Sequence, residues 1–243
     1  MSNFETLNYE ILMRNIVTLS LLEYKGFGNQ FWALKMMQMA KPYLKSVEGL
    51  QFYKLLGSGQ DGFKPQPDWS IYALLQVWDT ETHAQHFFEN SKLVKKYQDH
   101  TQSFCKLYLK PIVVHGLWSG QQPFKFDSEK VENSGKVAII TRASIKTSEL
   151  SRFWKYVPQT QQAIEQAEGL IYTKGFGEFP IWEMATLSLW ENMDYAKQYA
   201  YKSPEHQKAI KMTRQYDWYK EELFSRFQVY DVEGLWQGRD LKI

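Results

Sequence analysis

The chain ends each of its two halves with nearly the same five residues. Residues 116–120 read Gly-Leu-Trp-Ser-Gly, and residues 234–238 read Gly-Leu-Trp-Gln-Gly. Further matches follow in the same order along the chain, namely Glu48-Gly49-Leu50 with Glu168-Gly169-Leu170, Trp78 with Trp190, and the apolar openings 17–22 with 137–141. A repeat of this length is a whole domain rather than a unit of a solenoid. The sequence therefore predicts two tandem halves, residues 15–120 and 136–239, joined by a linker.

Both halves show the same order of predicted elements: strand, helix, strand, strand, helix, strand. In the first half the strands are predicted at 16–22, 51–56, 72–77 and 112–117, and the helices at 31–44 and 80–98. In the second half the strands are predicted at 137–141, 170–174, 184–189 and 227–235, and the helices at 147–166 and, in two or three pieces, 193–224. This order is that of the ferredoxin-like unit, so the predicted fold class is α+β.

A ferredoxin-like sheet has one face covered by its two helices and one bare face. Two such halves in one chain can bury their bare faces against each other, which gives a single-chain dimeric α/β barrel. We expect the bare faces to be aromatic, with Trp78, Trp118, Trp190 and Trp236 at equivalent places.

Composition excludes several classes of protein. With 44 % hydrophobic residues the chain can bury a sizeable core. The net charge of +2 gives no concentrated basic surface for nucleic acid. The single cysteine, Cys105, allows no intrachain disulfide and is expected to be a buried thiol, which fits a reducing cytoplasm. The apolar stretch 16–22 is too short to span a bilayer, so we expect a soluble cytoplasmic protein and leave peripheral membrane association open.

His206 is the histidine with the most informative surroundings. Ser203 is a typical helix cap and Pro204 a typical first helical residue, so His206 falls in the first turn of a helix. It shares an apolar stripe with Ala209, Ile210 and Thr213. The positive end of the helix disfavours imidazolium, and a metal needs a neutral imidazole. A hydrogen-bonded histidine at the edge of the core and a metal ligand, with iron as the first candidate, both remain open.

The first half has Val94 where the second has His206, so the scaffold itself does not require this imidazole. The other histidines give weaker signals. His83 and His86 lie three residues apart on a predicted helix, which could share a metal but favours solvated side chains. His100 is expected on the surface and His115 in a structural role.

Two basic residues of the second half are candidates for a pocket. Arg142 follows a strand where the first half has Leu22, and it is either a pocket residue or a charge at a strand end. Lys174 precedes Gly175-Phe176-Gly177, which we interpret as a tight turn, and its pattern favours an ammonium in solvent. The chain has no Gly-x-Ser-x-Gly, His-Glu-x-x-His or Walker motif.

Several second-half motifs together resemble the spheroidene monooxygenase family of carotenoid biosynthesis. They are Thr141-Arg142-Ala143-Ser144-Ile145, Tyr172-Thr173-Lys174-Gly175-Phe176-Gly177-Glu178, Ser188-Leu189-Trp190, His206-x-x-Ala209-Ile210, and the run from Trp218-Tyr219 through Glu221-Glu222-Leu223-Phe224-Ser225-Arg226-Phe227. That family is similar to haem proteins built on dimeric α/β barrels, such as chlorite dismutases, dye-decolourising peroxidases and aldoxime dehydratases.

The resemblance implies a cofactor and a reaction. His206 becomes the axial iron ligand of a b-type haem, with Glu205 or Glu222 orienting its ring. Trp190 and Trp218 would wall the haem, and Arg142 and Lys174 would serve its distal side or its propionates. The implied reaction oxygenates an acyclic carotenoid to a hydroxyl and then a keto group, with electrons from a donor of unknown identity. Another haem enzyme of this barrel type and a non-enzymatic lipophile- or haem-binding protein remain alternatives, as does a homo-oligomer.

Overall fold

The structure is a computed structural model that describes residues 15–126, 135–179 and 181–241. The first half consists of β1 (Ile16–Glu23), α1 (Phe27–Met39), α2 (Lys41–Leu44), β2 (Leu50–Gly59), β3 (Pro67–Trp78), α3 (Glu81–Asn90), α4 (Lys92–His100) and β4 (Ser103–Gly116). The second consists of β5 (Val137–Ile145), a 3₁₀ turn (Thr147–Glu149), α5 (Leu150–Glu165), β6 (Leu170–Phe179), β7 (Glu183–Trp190), α6 (Met193–Lys202), α7 (Pro204–Tyr216) and β8 (Tyr219–Glu233). None of these helices is both long and apolar enough to cross a membrane.

The eight strands close into one antiparallel barrel in the order β1-β3-β2-β6-β7-β5-β8-β4. Each half contributes four adjacent strands, so the barrel has two seams between the halves. The β4–β8 seam is a long ladder from Lys106–Glu233 to Gly116–Leu223. The β2–β6 seam has two residue pairs, Gly57 with Gly177 and Ser58 with Phe176. The predicted dimeric α/β barrel is therefore confirmed.

The interior of the barrel is one hydrophobic core to which both halves contribute. Alternate residues of the strands point inward, as the two-residue period of a strand requires. The largest inward side chains include Phe52, Trp118, Phe124, Phe227 and Trp236. The positions of Trp118 and Trp236 agree with the expectation for the bare faces. The same expectation for Trp78 and Trp190 is wrong, because both indoles lie on the outer, helix-covered face of the sheet.

The two outer layers, between the sheet and its helices, differ in how well they are filled. In the described first half this layer holds seventeen buried hydrophobic residues, including Leu22, Tyr72 and Leu74. The corresponding cluster of the described second half holds four, of which one, Phe63, comes from the first half. The duplicated scaffold is thus densely packed outside one sheet and loosely packed outside the other.

Three predicted boundaries need correction. The last helix ends at Tyr216 rather than 224, because residues 219–233 form a strand that pairs with both β4 and β5. The glycines at 175 and 177 lie inside β6 rather than in a tight turn. The fourth strand begins at Ser103 rather than 112, which places the buried Cys105 inside it. Of the predicted linker, residues 127–134 lie outside the described residues.

Candidate functional site: the open layer of the second half

His206 lies in the first turn of α7, where the sequence predicts it. Pro204 is the first helical residue, and the Ser203 hydroxyl accepts a hydrogen bond from the His206 backbone N–H at 3.2 Å. In the first half, the Ser91 hydroxyl caps α4 by accepting a hydrogen bond from the Leu93 backbone N–H, and Val94 occupies the position that matches His206. Val94 is buried against the sheet. The His206 side chain therefore starts from a backbone position whose counterpart faces the sheet.

The His206 ring is half-buried and has no hydrogen-bond partner among residues 15–126, 135–179 and 181–241. Its nearest aromatic contact is the ring of Tyr199, whose centroid is 5.0 Å away. Burial lowers the pKa of His206 below its usual 6.5, so the imidazole is neutral near neutral pH. A neutral imidazole with a free nitrogen lone pair is the form that binds a metal.

The helix that carries His206 does not close onto the sheet. α7 contains no fully buried residue and packs against its neighbours α5 and α6. Ala209 and Thr213 of the predicted stripe are half-buried, whereas Ile210 is 38 % exposed. The corresponding helix of the first half buries Leu93, Val94 and Tyr97.

The outer sheet face of the second half carries smaller side chains at two positions where leucines fill the first half. Equivalent positions follow from the strand register: Leu22 pairs with Tyr72 in one half, and Ala143 pairs with Met184 in the other. Similarly, Leu74 of the first half corresponds to Thr186, which pairs with Thr141.

Thr141 is exposed although it lies in the middle of β5, between two paired strands. Its hydroxyl is hydrogen-bonded to that of Thr186. A mid-strand residue on the helix-facing side of a sheet is accessible only if space separates the sheet from the helices. We call the space between this sheet face and the helices of the second half the open layer. Thr141 is exposed on its sheet side, and the half-buried His206 belongs to its helix side.

Arg226 is a cation on this face that the sequence analysis missed. It lies across from Ile139 in the β5–β8 ladder, at the position that the buried Tyr108 occupies in the first half. Its Nε is buried without a hydrogen-bond partner, and no described carboxylate forms an ion pair with it. Its Cζ lies 5.9 Å from the Phe224 ring centroid. Arg226 lies within the run that carries the family resemblance. In the repeat it matches Tyr108, and this replacement of a tyrosine by an arginine is the sequence signal that could have identified it.

Trp190 and Trp218 lie on the same side of the sheet as His206. The Trp190 indole N–H donates to the Ser188 hydroxyl at 2.9 Å, and its ring lies 5.5 Å from Tyr199, which also contacts His206. Trp218 follows α7 and packs edge-on against Phe153 of α5. The indole Nε1 of Trp218 is buried without a partner. The structure thus brings His206, Trp190 and Trp218 into one layer.

Arg142 lies on the opposite face of the sheet, in the barrel interior. It pairs across the ladders with Ala185 and Leu223, which both belong to the interior core. This register makes Leu21 its first-half counterpart, so the expected match with Leu22 is wrong. The Arg142 guanidinium is buried and forms ion pairs with Glu221 and, at 3.5 Å, with Glu183.

Glu221 connects Arg142 to the repeated end motif of the first half. Its carboxylate accepts hydrogen bonds from the backbone N–H groups of Ser119 at 2.8 Å and Gly120 at 2.6 Å. Burial would raise the pKa of Glu221, but these backbone donors and Arg142 outweigh it and hold the pKa below its usual value. The sequence leaves open whether Arg142 is a pocket residue or a charge at a strand end. In the structure it is buried and paired with Glu221 and Glu183.

Lys174 also points into the barrel. It is buried, and its Nζ lies 2.7 Å from an Asp68 carboxylate oxygen, so the preference for solvent is wrong. Arg142 and Lys174 are therefore separated from His206 by the sheet. Their catalytic roles stay predictions.

The remaining candidates lie elsewhere. His83 is bound to Asp79 at 2.6 Å, and His100 stacks on Trp32 with ring centroids 4.0 Å apart. Glu205 accepts a bond from Ser203, and neither it nor Glu222 bonds to the His206 ring. In the described part of the chain, no three or more His, Cys, Asp or Glu residues cluster where they could hold a metal ion.

Comparison with known proteins gives relatives over most of the chain, although no family model matches. Spheroidene monooxygenase of Rhodobacter capsulatus is 31 % identical over 227 residues, covering 93 % of this chain and 94 % of the relative. The enzyme of that name from Rubrivivax gelatinosus is 34 % identical, covering 79 % and 73 %.

Solved structures agree on the fold. An aldoxime dehydratase in complex with butyraldoxime matches with a TM-score of 0.63 and 12 % identity, over 91 % of this chain and 81 % of that one. A second aldoxime dehydratase matches with a TM-score of 0.58 and 11 % identity, over 90 % and 82 %. At such identities the likeness concerns the barrel alone. With relatives above 30 % identity across nearly the whole length, the chain belongs to the spheroidene monooxygenase family.

Proposed function

We propose that this protein is a haem-dependent monooxygenase that inserts oxygen into an acyclic carotenoid, first as a hydroxyl and then as a keto group. Membership of the family supports the oxygenase activity and the substrate class. The observation that carries the cofactor is the open layer of the second half, which contains the half-buried His206 ring and in which Ala143 and Thr186 stand where the first half has Leu22 and Leu74.

The residues of this layer fit a haem better than a bare metal ion. A bare ion needs several protein ligands, and the described residues offer no such cluster. A haem brings its own nitrogen ligands and would need only one ligand from the protein. His206 is neutral near pH 7 and has no competing hydrogen bond in the described structure. We assign it as that ligand.

The other residues of the open layer would hold and shield the group. Arg226 is a cation without a carboxylate partner among the described residues, which suits it to a haem propionate. Trp190 and Trp218 would form apolar walls that exclude water. The hydroxyls of Thr141 and Thr186, which bond to each other, would be hydrogen-bonding groups for a polar atom in the layer.

Arg142 and Lys174 would contribute from the barrel interior as positioning residues. Through its ion pair with Glu221, Arg142 would fix the position of β5, in which the preceding residue, Thr141, lies on the side of the open layer. Lys174 would fix the position of β6 through its ion pair with Asp68. Bound haem would supply the activation of molecular oxygen. Each oxygenation replaces a C–H bond by a C–OH bond, consumes one O₂, two electrons and two protons, and releases one water. A second oxygenation at the same carbon gives a geminal diol, which loses water to form the ketone. An external electron donor is therefore part of the proposal.

The cofactor assignment is tested by haem titration of the purified protein. We expect the wild type to develop a Soret band with stoichiometric haem, and His206→Ala to lose it. His86→Ala, which removes an exposed histidine of α3, is the matched control and should titrate like the wild type. A normal axial-ligand spectrum in His206→Ala would overturn the assignment of His206, and no Soret band in the wild type would overturn the haem proposal.

The reaction is tested in a host that accumulates an acyclic carotenoid. Wild-type protein should convert the pigment to hydroxylated and keto products, while His206→Ala should leave it unchanged. Unchanged pigment despite full haem loading would contradict the carotenoid reaction and favour another haem chemistry. Carotenoid binding without haem binding would favour the lipophile-binding alternative.

A further inference from the structure

Helix α1 is apolar on the side that faces away from the protein. Ala33 and Met36 are buried beneath it, as in any packed helix. The opposite side carries Phe27, which is 82 % exposed, with Phe31 and Leu34 following at helical spacing on the same face. The Phe27 and Phe31 rings stack with centroids 6.2 Å apart. A helix that is apolar outside as well as inside is atypical of a protein surface in water.

This apolar row continues into a cleft and beyond it. Leu34 lines a cleft of about 480 Å³ between α1, the outer face of β2 and β3, and the end of β6. Trp69 and Phe179 form its other walls and are 47 % and 57 % exposed. Phe179 in turn stacks on the exposed Trp182, with ring centroids 5.8 Å apart. We call this surface, from Phe27 through the cleft to Trp182, the aromatic rim.

The segment that carries helix α1 contributes charge of one sign to the aromatic rim. Residues 24–47 contain four lysines and no aspartate or glutamate, and all four lysines are exposed: Lys25, Lys35, Lys41 and Lys45. The two carboxylates that line the cleft are neutralised, Asp68 by Lys174 at 2.7 Å and Glu178 by Lys54 at 2.7 Å. An apolar surface bordered by lysines is complementary to an anionic lipid bilayer. A second copy of the chain would instead oppose lysines with lysines.

We propose that the aromatic rim docks the protein on an anionic lipid bilayer, with the cleft opening toward the lipid. The rim aromatics enter the headgroup region, and the lysines contact lipid phosphates. The cleft reaches the β2–β6 seam at Gly57 and Gly177, where the first half meets the second. Its use as an entrance for an apolar substrate rests on the proposed function; the docking itself does not.

The test is co-sedimentation of the full chain with vesicles of phosphatidylcholine alone or with about a third phosphatidylglycerol. We expect the wild type to bind the anionic vesicles more tightly than the neutral ones. Phe27→Ser with Phe31→Ser should lower partitioning to anionic vesicles about tenfold or more. Lys35→Gln with Lys41→Gln should remove most of the preference for anionic lipid, about fivefold for each lysine. Tyr201→Ser with Leu235→Ser, which are 74 % and 54 % exposed elsewhere, is the control and should bind normally.

Wild-type protein that stays in the supernatant would overturn docking, as would equal loss in the control variant. Light scattering of the same samples tests whether the aromatic rim instead mediates self-association. If the wild type is a dimer and the Phe27→Ser, Phe31→Ser variant is a monomer, the rim is a contact between copies and docking on lipid is overturned. The vesicle assay contains neither haem nor carotenoid, so its outcome does not depend on whether the proposed oxygenation is correct. Circular dichroism and the unfolding midpoint of each variant establish that it is folded.

Discussion

His206 and Val94 occupy the same position in equivalent helices, each the third residue after a serine that caps the helix. Val94 is packed into a full outer layer, whereas His206 faces an open one. One scaffold position thus serves packing in the first copy and remains available for ligand chemistry in the second.

Exchanging these two residues should have unequal effects on stability. Val94→His places an unpartnered imidazole in a packed layer and should lower the free energy of unfolding by about 2 kcal/mol. His206→Val removes a ring without hydrogen bonds from an open layer and should change it by less than about 0.5 kcal/mol. Urea unfolding of the haem-free proteins measures both values. Equal destabilisation by the two exchanges would contradict the difference in packing.

The lowered pKa of His206 predicts a pH dependence of stability. Above pH 6.5 the ring is neutral in both folded and unfolded chains, so it contributes no slope. As the pH falls below 6.5, the unfolded chain binds a proton first, and the free energy of unfolding decreases until the folded pKa is passed. The haem-free wild type should therefore lose stability relative to His206→Val below pH 6.5. Parallel curves of melting temperature against pH for the two proteins would contradict this prediction.

Filling the open layer with first-half residues should remove the cofactor site. Ala143→Leu with Thr186→Leu introduces the side chains that Leu22 and Leu74 supply in the other copy. We expect haem affinity to fall at least about tenfold while the unfolding midpoint stays the same or rises, because leucines would occupy the space. Spectrophotometric haem titration measures the affinity. An unchanged affinity would place the haem elsewhere.

The Arg142–Glu221 ion pair should stabilise the barrel cooperatively. Removing one partner leaves a poorly solvated charge, so Arg142→Ala and Glu221→Ala should each cost about 2–3 kcal/mol, and the double variant less than their sum. The folded pKa of Glu221 is lowered, so its contribution is present above pH 4.5 and is lost as the pH falls through the folded pKa. A double-mutant cycle at pH 7 and pH 3 measures the coupling, and additive costs at pH 7 would refute it.

The repeat made the barrel predictable, because the matched end motifs fix two copies of one element order. The same reading failed at residues 219–224, where Glu221, Glu222 and Leu223 favour a helix by propensity. Pairing with strands on both sides overrides that preference and places Leu223 in the core. Propensity describes a segment alone, whereas this segment pairs with β5 from Tyr219 onward and also with β4 from Leu223 onward.

At the site, the serine cap predicted that His206 lies in the first turn of a helix. The sequence did not show on which face of the sheet Arg142 and Lys174 lie. The side of the sheet that a strand residue faces depends on register, and a shift of one residue reverses it. Matching Arg142 to Leu22 rather than Leu21 was such a shift. The register of the β5–β8 ladder was needed to place Arg226 on the same face of the sheet as His206.

The shared interior of the barrel has a consequence for how the two copies can change over time. Because Trp118 and Trp236 belong to one core, we expect the two halves to unfold together, with the densely packed first copy stabilising the less densely packed second one. Sequence variation should therefore be distributed unequally. Substitutions that reshape the layer around His206 can accumulate with little loss of foldedness, whereas the equivalent positions around Val94 tolerate few. The duplication separates the evolution of a binding cavity from the maintenance of the fold.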